Sequence, residues 1–259
     1  MAKVKLVSPG QLRAIPGCLP DEQAFGEVQT RLGVCGSFPL HAGFRIMTGG
    51  SAIAWQAAAS GRVILVWEGV ARVGETILGV ESAVIIEHGG SVRIDAVEDA
   101  TALLVFDARK DSPPEDAHGG GVHILPAERV QRTDCLAPDM PLGAAVYADS
   151  SCPTCSMWLH ENSYQPHFEL GLHSHSQDEI IVVVGGDLVI GTKSYGRGSM
   201  LAVAKDVLYQ FKCGERGLRF VNFRPSRPTY TSGDGSFTAD ERSIYREVFH
   251  EPPPYLQSL

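Results

Sequence analysis

Short apolar runs broken by turn residues recur along most of this chain, and none keeps the period of a long helix. Arg62-Val-Ile-Leu-Val-Trp67 ends at Glu68-Gly69, Ala83-Val-Ile-Ile86 at His88-Gly89-Gly90, and Thr101-Ala-Leu-Leu-Val-Phe106 at a polar stretch rich in Pro and Gly. Downstream, Ala144-Ala-Val-Tyr147, Ser156-Met-Trp-Leu-His160, Ile180-Ile-Val-Val-Val184 and Phe220-Val-Asn-Phe223 repeat the pattern. β-Branched runs with turns every eight to twelve residues or so predict an all-β sandwich or barrel. Only two helices are expected, both short. One starts at Pro126 and runs to about Arg132; the other starts at the capping-box spacing Thr238-Ala-Asp-Glu241 and runs to about Phe249.

The pattern is internally repeated. Laying residues 54–106 on 171–223, a shift of 117 positions, needs no gap. Ile64 falls on Ile181, Val66 on Val183, Gly69 on Gly186, Gly74 on Gly191, Gly79 on Gly196, Ser82 on Ser199 and Phe106 on Phe223. Apolar strands and turn glycines coincide, as a duplicated β-unit requires. Residues 1–112 are read as the first unit, 113–143 as a linker around Asp111-Ser-Pro-Pro-Glu-Asp and Gly119-Gly-Gly121, and 144–259 as the second.

The copies differ in chemistry. Two histidines one residue apart, His173 and His175, share one face of an extended chain. Glu179 opens the next apolar strand, where burial demands a cationic partner. Two imidazoles and a carboxylate are the facial set that holds non-haem Fe(II) with open positions, and catalytic zinc uses the same ligand types. At the matching positions the first copy has Gln56, Ala58 and Arg62, so only the second is a candidate site.

Composition narrows the partners. A formal net charge of -8, without a Lys/Arg cluster, argues against nucleic acid and anionic membranes. No apolar stretch reaches membrane-spanning length. Six scattered cysteines do not make a disulfide framework in a chain this long, and a cytoplasmic protein is expected. Cys152-Pro-Thr-Cys155 is a lone Cys-x-x-Cys pair between loop and strand, read as a loop with two thiols in preference to a metal or redox site.

The second copy resembles a cupin, and the duplication resembles a two-domain bicupin with a degenerate first half. The family's first motif is Gly, five residues, His-x-His, three or four, Glu, six, Gly. His173, His175, Glu179 and Gly186 keep that spacing, with His167 in the leading Gly position. Of the second motif Gly198 remains, while Tyr209 stands where the fourth ligand, a histidine, is expected. The resemblance covers residues 160 to 225 well and 50 to 107 by scaffold.

It implies duplicated jelly-roll barrels and one divalent ion, with Fe(II) favoured and Zn, Mn or Ni as alternatives. His173, His175 and Glu179 would be the ligands. Tyr209 is left three roles: phenolate ligand, hydrogen-bond donor or general acid beside the ion, or bystander with His167 or Gln210 filling the fourth place. A neutral tyrosine, with a pKa near 10, favours the donor role. The resemblance implies a small-molecule substrate and leaves room for a homodimer. The activities in view are Fe(II) dioxygenase first, then a Zn-, Mn- or Ni-dependent lyase or isomerase, then a non-catalytic binding or sensor cupin. His160 lies near the key histidines, and Arg219 and Arg224 are candidates for a substrate carboxylate.

Overall fold

A computed structural model describes residues 3–16, 21–56, 58–108, 119–136, 142–246, 248–249 and 251–256. It divides into two units, each compact by itself. The first comprises Leu12–Val130, Ser151–Cys155 and Pro254–Leu259; the second comprises Met1–Gln11, Gln131–Ser150 and Ser156–Pro253. These boundaries differ from those expected at 112 and 143. Val4–Val7 pairs with Met200–Val203 and so belongs to the second unit. Within the expected linker, Val122–Leu125 extends the first unit's sheet and Gln131–Thr133 extends the second's. Backbone groups of an edge strand stay unsatisfied until another strand pairs with them, and these segments meet that demand.

The first unit packs a seven-stranded sheet against a five-stranded one. Arg62–Glu68 lies between Ala83–Ile86 and Thr101–Asp107 in the larger sheet. Its core includes Ile53, Trp55, Ile64, Val66, Val84, Leu103 and Val105. In the second unit Glu179–Ile190 runs between Met200–Val203 and the long strand Tyr209–Arg224, which also pairs with Trp158–Tyr164. Glu169–His175 branches from Tyr209–Arg224 and continues the hydrogen bonding to Thr229–Ser232. Trp158, Ile181, Val183, Phe211, Leu218 and Phe220 fill its interior.

The duplication holds at the level of single hydrogen bonds. His41–Met47 and Trp158–Tyr164 match end to end at the 117-residue shift, as do Thr76–Leu78 and Lys193–Tyr195. The Val66 amide donates to the Ser82 carbonyl at 3.0 Å, and its counterpart Val183 donates to Ser199 at 3.0 Å. Gly69 and Gly186 take φ of +72° and +67° at the equivalent turns. At Gly186 a Cβ would collide with the Gly217 carbonyl, so glycine is required there by space as well as by conformation.

The short helices differ from expectation. After Pro126 a single 3-10 turn, Ala127–Arg129, gives way to strand. Near the C-terminus Thr238–Asp240 is strand, and the helix covers only Glu241–Arg246. Asp240, not Thr238, caps it: its carboxylate accepts from the Arg242 amide at 3.1 Å. Among the described residues no helix is long and apolar enough to cross a membrane.

Candidate functional site

Strand parity builds the site. Ile181 and Val183 belong to the interior of the second unit, so Glu179, two residues earlier on the same strand, faces inward with them. On the neighbouring strand Leu218 and Phe220 face inward, which carries Asn222 and Arg224 to the same side. Ile181 lies opposite Asn222, so Glu179 and Arg224 become cross-strand neighbours. His173 pairs in register with Tyr209, and His175 with Tyr230. His173, His175 and Glu179 are 1%, 7% and 1% exposed, so the three expected ligands do share one dry interior.

His173 is oriented through Nδ1, and His175 has both ring nitrogens facing carboxylates. His173 donates Nδ1–H to the Gly171 carbonyl at 2.7 Å, which leaves its Nε2 lone pair free. Its ring stacks on Tyr230, with centroids 5.2 Å apart, and tilts against Tyr209 at 4.3 Å. His175 directs Nδ1 at Glu241 Oε2, 3.3 Å away, and Nε2 at Glu179 Oε2, 4.0 Å away. Glu179 Oε2 accepts from Asn222 Nδ2 and Arg224 Nη2, both at 2.8 Å. Its Oε1 is buried without a hydrogen bond of good geometry, although the Tyr209 hydroxyl lies against the same carboxylate.

The cation beside Glu179 is therefore Arg224, whose other nitrogen sits 2.9 Å from Glu241 Oε2. Arg224 and Glu241 complete the interior: Arg224, a candidate for a substrate carboxylate, is engaged by the protein's own two acids, and Glu241 was not expected there. Burial opposes ionisation of Glu179, but Arg224, followed by His175, outweighs it and holds the carboxyl below its usual range. Glu241 behaves in the same way for the same reasons. Burial lowers His173, and it lowers His160 to about 3, so the His160 ring is neutral near pH 7. Two carboxylates against one guanidinium leave one negative charge, and His175 is the ring that faces both carboxylates.

Tyr209 is pushed well above 10, first by burial and then by the Glu179 charge. Its hydroxyl therefore holds its proton beside Glu179 in this interior. His167 and Gln210 do not reach the interior. His167 is exposed in a turn with φ of +65°, and Gln210 is exposed because it alternates with Tyr209 along its strand. His160, 1% exposed, is the histidine that does come in, 3.6 Å from Glu241 Oε1. Arg219 faces outward, its Nε donating to Glu161 Oε1 at 2.8 Å. A cleft of about 480 Å³ lined by Arg132, Glu161, Tyr164 and Arg219 lies there, apart from the histidines.

The donor set suits a divalent ion in tautomer, ligand type and charge. The His173 Nε2 lone pair, the Glu179 oxygen and two carboxylates gathered at one guanidinium favour a cation there. The three ligand atoms do not close within 4.8 Å of one another; among the described residues only a group in the first unit does so. Taking an ion would require His173, His175 and Glu179 to draw together.

The His160 environment sets a pH dependence. Its folded pKa of about 3 lies below the unfolded value near 6.5, so between them the unfolded chain binds more protons. Stability is therefore present above 6.5 and declines as pH falls toward 3, with a slope of up to about 1.4 kcal/mol per unit from this ring. Glu179 and Glu241 add to the loss only below the usual carboxylate range. Urea midpoints at pH 6.5 and 5.0 are expected to differ in the wild type and to differ less in His160→Gln, with the lowered His173 supplying part of what remains.

No family model matches the sequence, and no curated protein matches it. Solved structures do. An oxalate decarboxylase from Lactobacillus farciminis, seen with formate, has a TM-score of 0.63 and 12% identity, covering 98% of this chain and 96% of that one. The chain has the bicupin fold. Protein Ylba from E. coli superposes with a TM-score of 0.65 at 11% identity, over 86% of this chain and 90% of its own. An 11S globulin from Wrightia tinctoria, described with an auxin-binding site, superposes with a TM-score of 0.60 at 10% identity, over 99% and 92%. One bicupin scaffold thus carries both a decarboxylase and a globulin, and the side chains must decide what this one does.

Proposed function

We propose that this bicupin is a metal-dependent enzyme of a small organic molecule, with the ion held by His173, His175 and Glu179 and dioxygen-dependent oxidation as its reaction. The carrying observation is the buried pair of imidazoles, one held at Nδ1 by the Gly171 carbonyl and the other with Nδ1 3.3 Å from Glu241 Oε2, beside an ionised carboxylate. Held so, each ring offers Nε2 as a ligand. Fe(II) on a two-histidine, one-carboxylate set would supply activation of O2.

The chain's own residues have defined tasks. Arg224 and Asn222 keep Glu179 ionised and fix its orientation. Glu241 orients His175. Tyr209 keeps its proton and donates toward negative charge developing on a substrate oxygen. The dry interior strengthens that donation.

Metal analysis of the purified protein, beside His173→Ala, is the test. An ion lost specifically in that variant, together with O2 uptake on a small-acid or aromatic substrate panel, is the expected result. Substrate turnover without O2 uptake would move the assignment to a Zn, Mn or Ni lyase or isomerase.

A second reading has an observation of its own. Arg224 already bridges Glu179 and Glu241, as an ion would. On that reading the barrel is a non-catalytic binding module, and His173→Ala leaves the metal content unchanged.

A further inference from the structure

The first unit, which has no counterparts of the two histidines, carries a different constellation. Glu87 directly follows Ala83–Ile86, and His123 lies on the adjacent strand Val122–Leu125, in register with Ile85. Cys152 and Cys155 arrive from far along the chain, in the segment Ser151–Cys155 that belongs to this unit. One potential ligand atom from each of the four residues lies within 4.8 Å of all the others. All four side chains are buried, and the cysteines are thiols, not a disulfide.

The carboxylate is the meeting point. Glu87 Oε1 lies 2.8 Å from His123 Nε2 and 3.8 Å from Cys152 Sγ, and the Thr154 hydroxyl reaches the same oxygen. Oε2 is fixed by the Gly121 amide at 2.9 Å. A Cβ at Gly121 would come within 2.8 Å of that oxygen, so the backbone approaches as closely as glycine allows.

We propose that Glu87, His123, Cys152 and Cys155 form a closed, four-coordinate zinc site that staples the segment 151–155 to the first unit. Zinc bonds of about 2.3 Å to sulfur and about 2.0 Å to nitrogen or oxygen put tetrahedral ligands roughly 3.3–3.8 Å apart, a small adjustment in which the wider pairs draw in and Glu87 Oε1 and His123 Nε2, now 2.8 Å apart, separate slightly. Two thiolates select a borderline-soft ion and disfavour magnesium or calcium. Four protein ligands leave no position for a substrate, so the site is structural. The Cys-x-x-Cys pair supplies two ligands from one turn, while His123 and Glu87 come from adjoining strands. The reading of this pair as a loop with two thiols, and of the first unit as free of ligand chemistry, is revised accordingly. Sequence spacing gave no second pair because the remaining ligands are a histidine and a carboxylate about 30 and 65 residues upstream.

The test is made on the full chain, purified with reductant and without chelator. Zinc at about one per chain is expected, retained in His173→Ala and lost in Cys152→Ser and in Cys155→Ser. Because those variants could unfold, the wild type is also stripped and reloaded with Co(II). Thiolate-to-cobalt charge-transfer absorption with tetrahedral d–d bands is then expected, and zinc should displace it. Absence of these bands from the reloaded wild type would overturn the proposal. So would zinc that is unchanged in both cysteine variants, or a Cys152–Cys155 disulfide as the resting state under reductant. Metal lost only in His173→Ala would support the second-unit site and sink this one, so the two readings fail separately.

Discussion

Arg224→Met is expected to lower the unfolding free energy of the second unit by about 3–5 kcal/mol, because it strands two buried carboxylates. Arg224 is 1% exposed, and its nitrogens sit 2.8 Å from Glu179 and 2.9 Å from Glu241. Removing the guanidinium leaves both acids without their main counter-charge, so one or both must take up a proton or admit water. The double variant Glu179→Gln/Arg224→Met is expected to be less destabilised than the sum of the single changes, since each change removes part of what the other leaves unsatisfied. Arg224→Lys should recover only part of the loss, because an ammonium cannot address two carboxylates with a planar fork. The measurement is urea denaturation of chelator-treated protein, so that ion binding does not add to the folded state. A loss below about 1 kcal/mol for Arg224→Met would mean that the pair is solvated and the interior is not dry.

The first unit gives that expectation a second footing. At the 117-residue shift Glu179 falls on Arg62 and Arg224 falls on Asp107. Arg62 and Asp107 are themselves buried and paired, Nη2 to Oδ2 at 3.2 Å. The same two positions thus hold an ion pair in both copies with the signs exchanged. A cross-strand pair at this place, between Arg62–Glu68 and Thr101–Asp107 in one copy and between Glu179–Ile190 and Tyr209–Arg224 in the other, recurs in both copies with opposite polarity.

Trp158→Ala is expected to cost about 3–5 kcal/mol, the usual range for deleting a fully buried indole. Trp158 is wholly buried, with its ring 5.3 Å from Tyr245 and 5.5 Å from His160. Tyr245 lies on the helix Glu241–Arg246 and donates to Asn162 Oδ1 at 2.8 Å. The cavity would therefore loosen the helix that holds Glu241 against His175 and Arg224. Faster amide exchange at 241–246 should accompany the lower thermal midpoint. Trp158→Phe is the control. Among the described residues the indole Nε1 has no hydrogen-bond partner, so the smaller ring gives up volume without losing a bond, and its cost should be well below that of alanine. If alanine and phenylalanine behaved alike, the ring would not be what seats the helix.

Hydrophobic patterning alone determined the class of this protein and its duplication. Period-two alternation between turn glycines leaves little choice of architecture, and the same glycines recur at a fixed interval because both copies need the same positive-φ turns. It also put His173 and His175 on one face, since side-chain direction along a strand is a local property, while their meeting with Glu179 on the next strand was what the cupin resemblance implied. Asn222 and Arg224 were within reach of the same rule, two and four residues past the inward-facing Phe220.

Tertiary structure decided the rest. Glu241 enters the site from a six-residue helix 62 positions beyond Glu179, and Cys152 and Cys155 meet Glu87 and His123 from the far side of a unit boundary in sequence. No local pattern encodes such meetings, because they depend on where loops return after the strands have paired. Whether Glu179 faces a guanidinium, an ion or both is likewise a question of long-range packing, settled by the charges that the fold gathers around it.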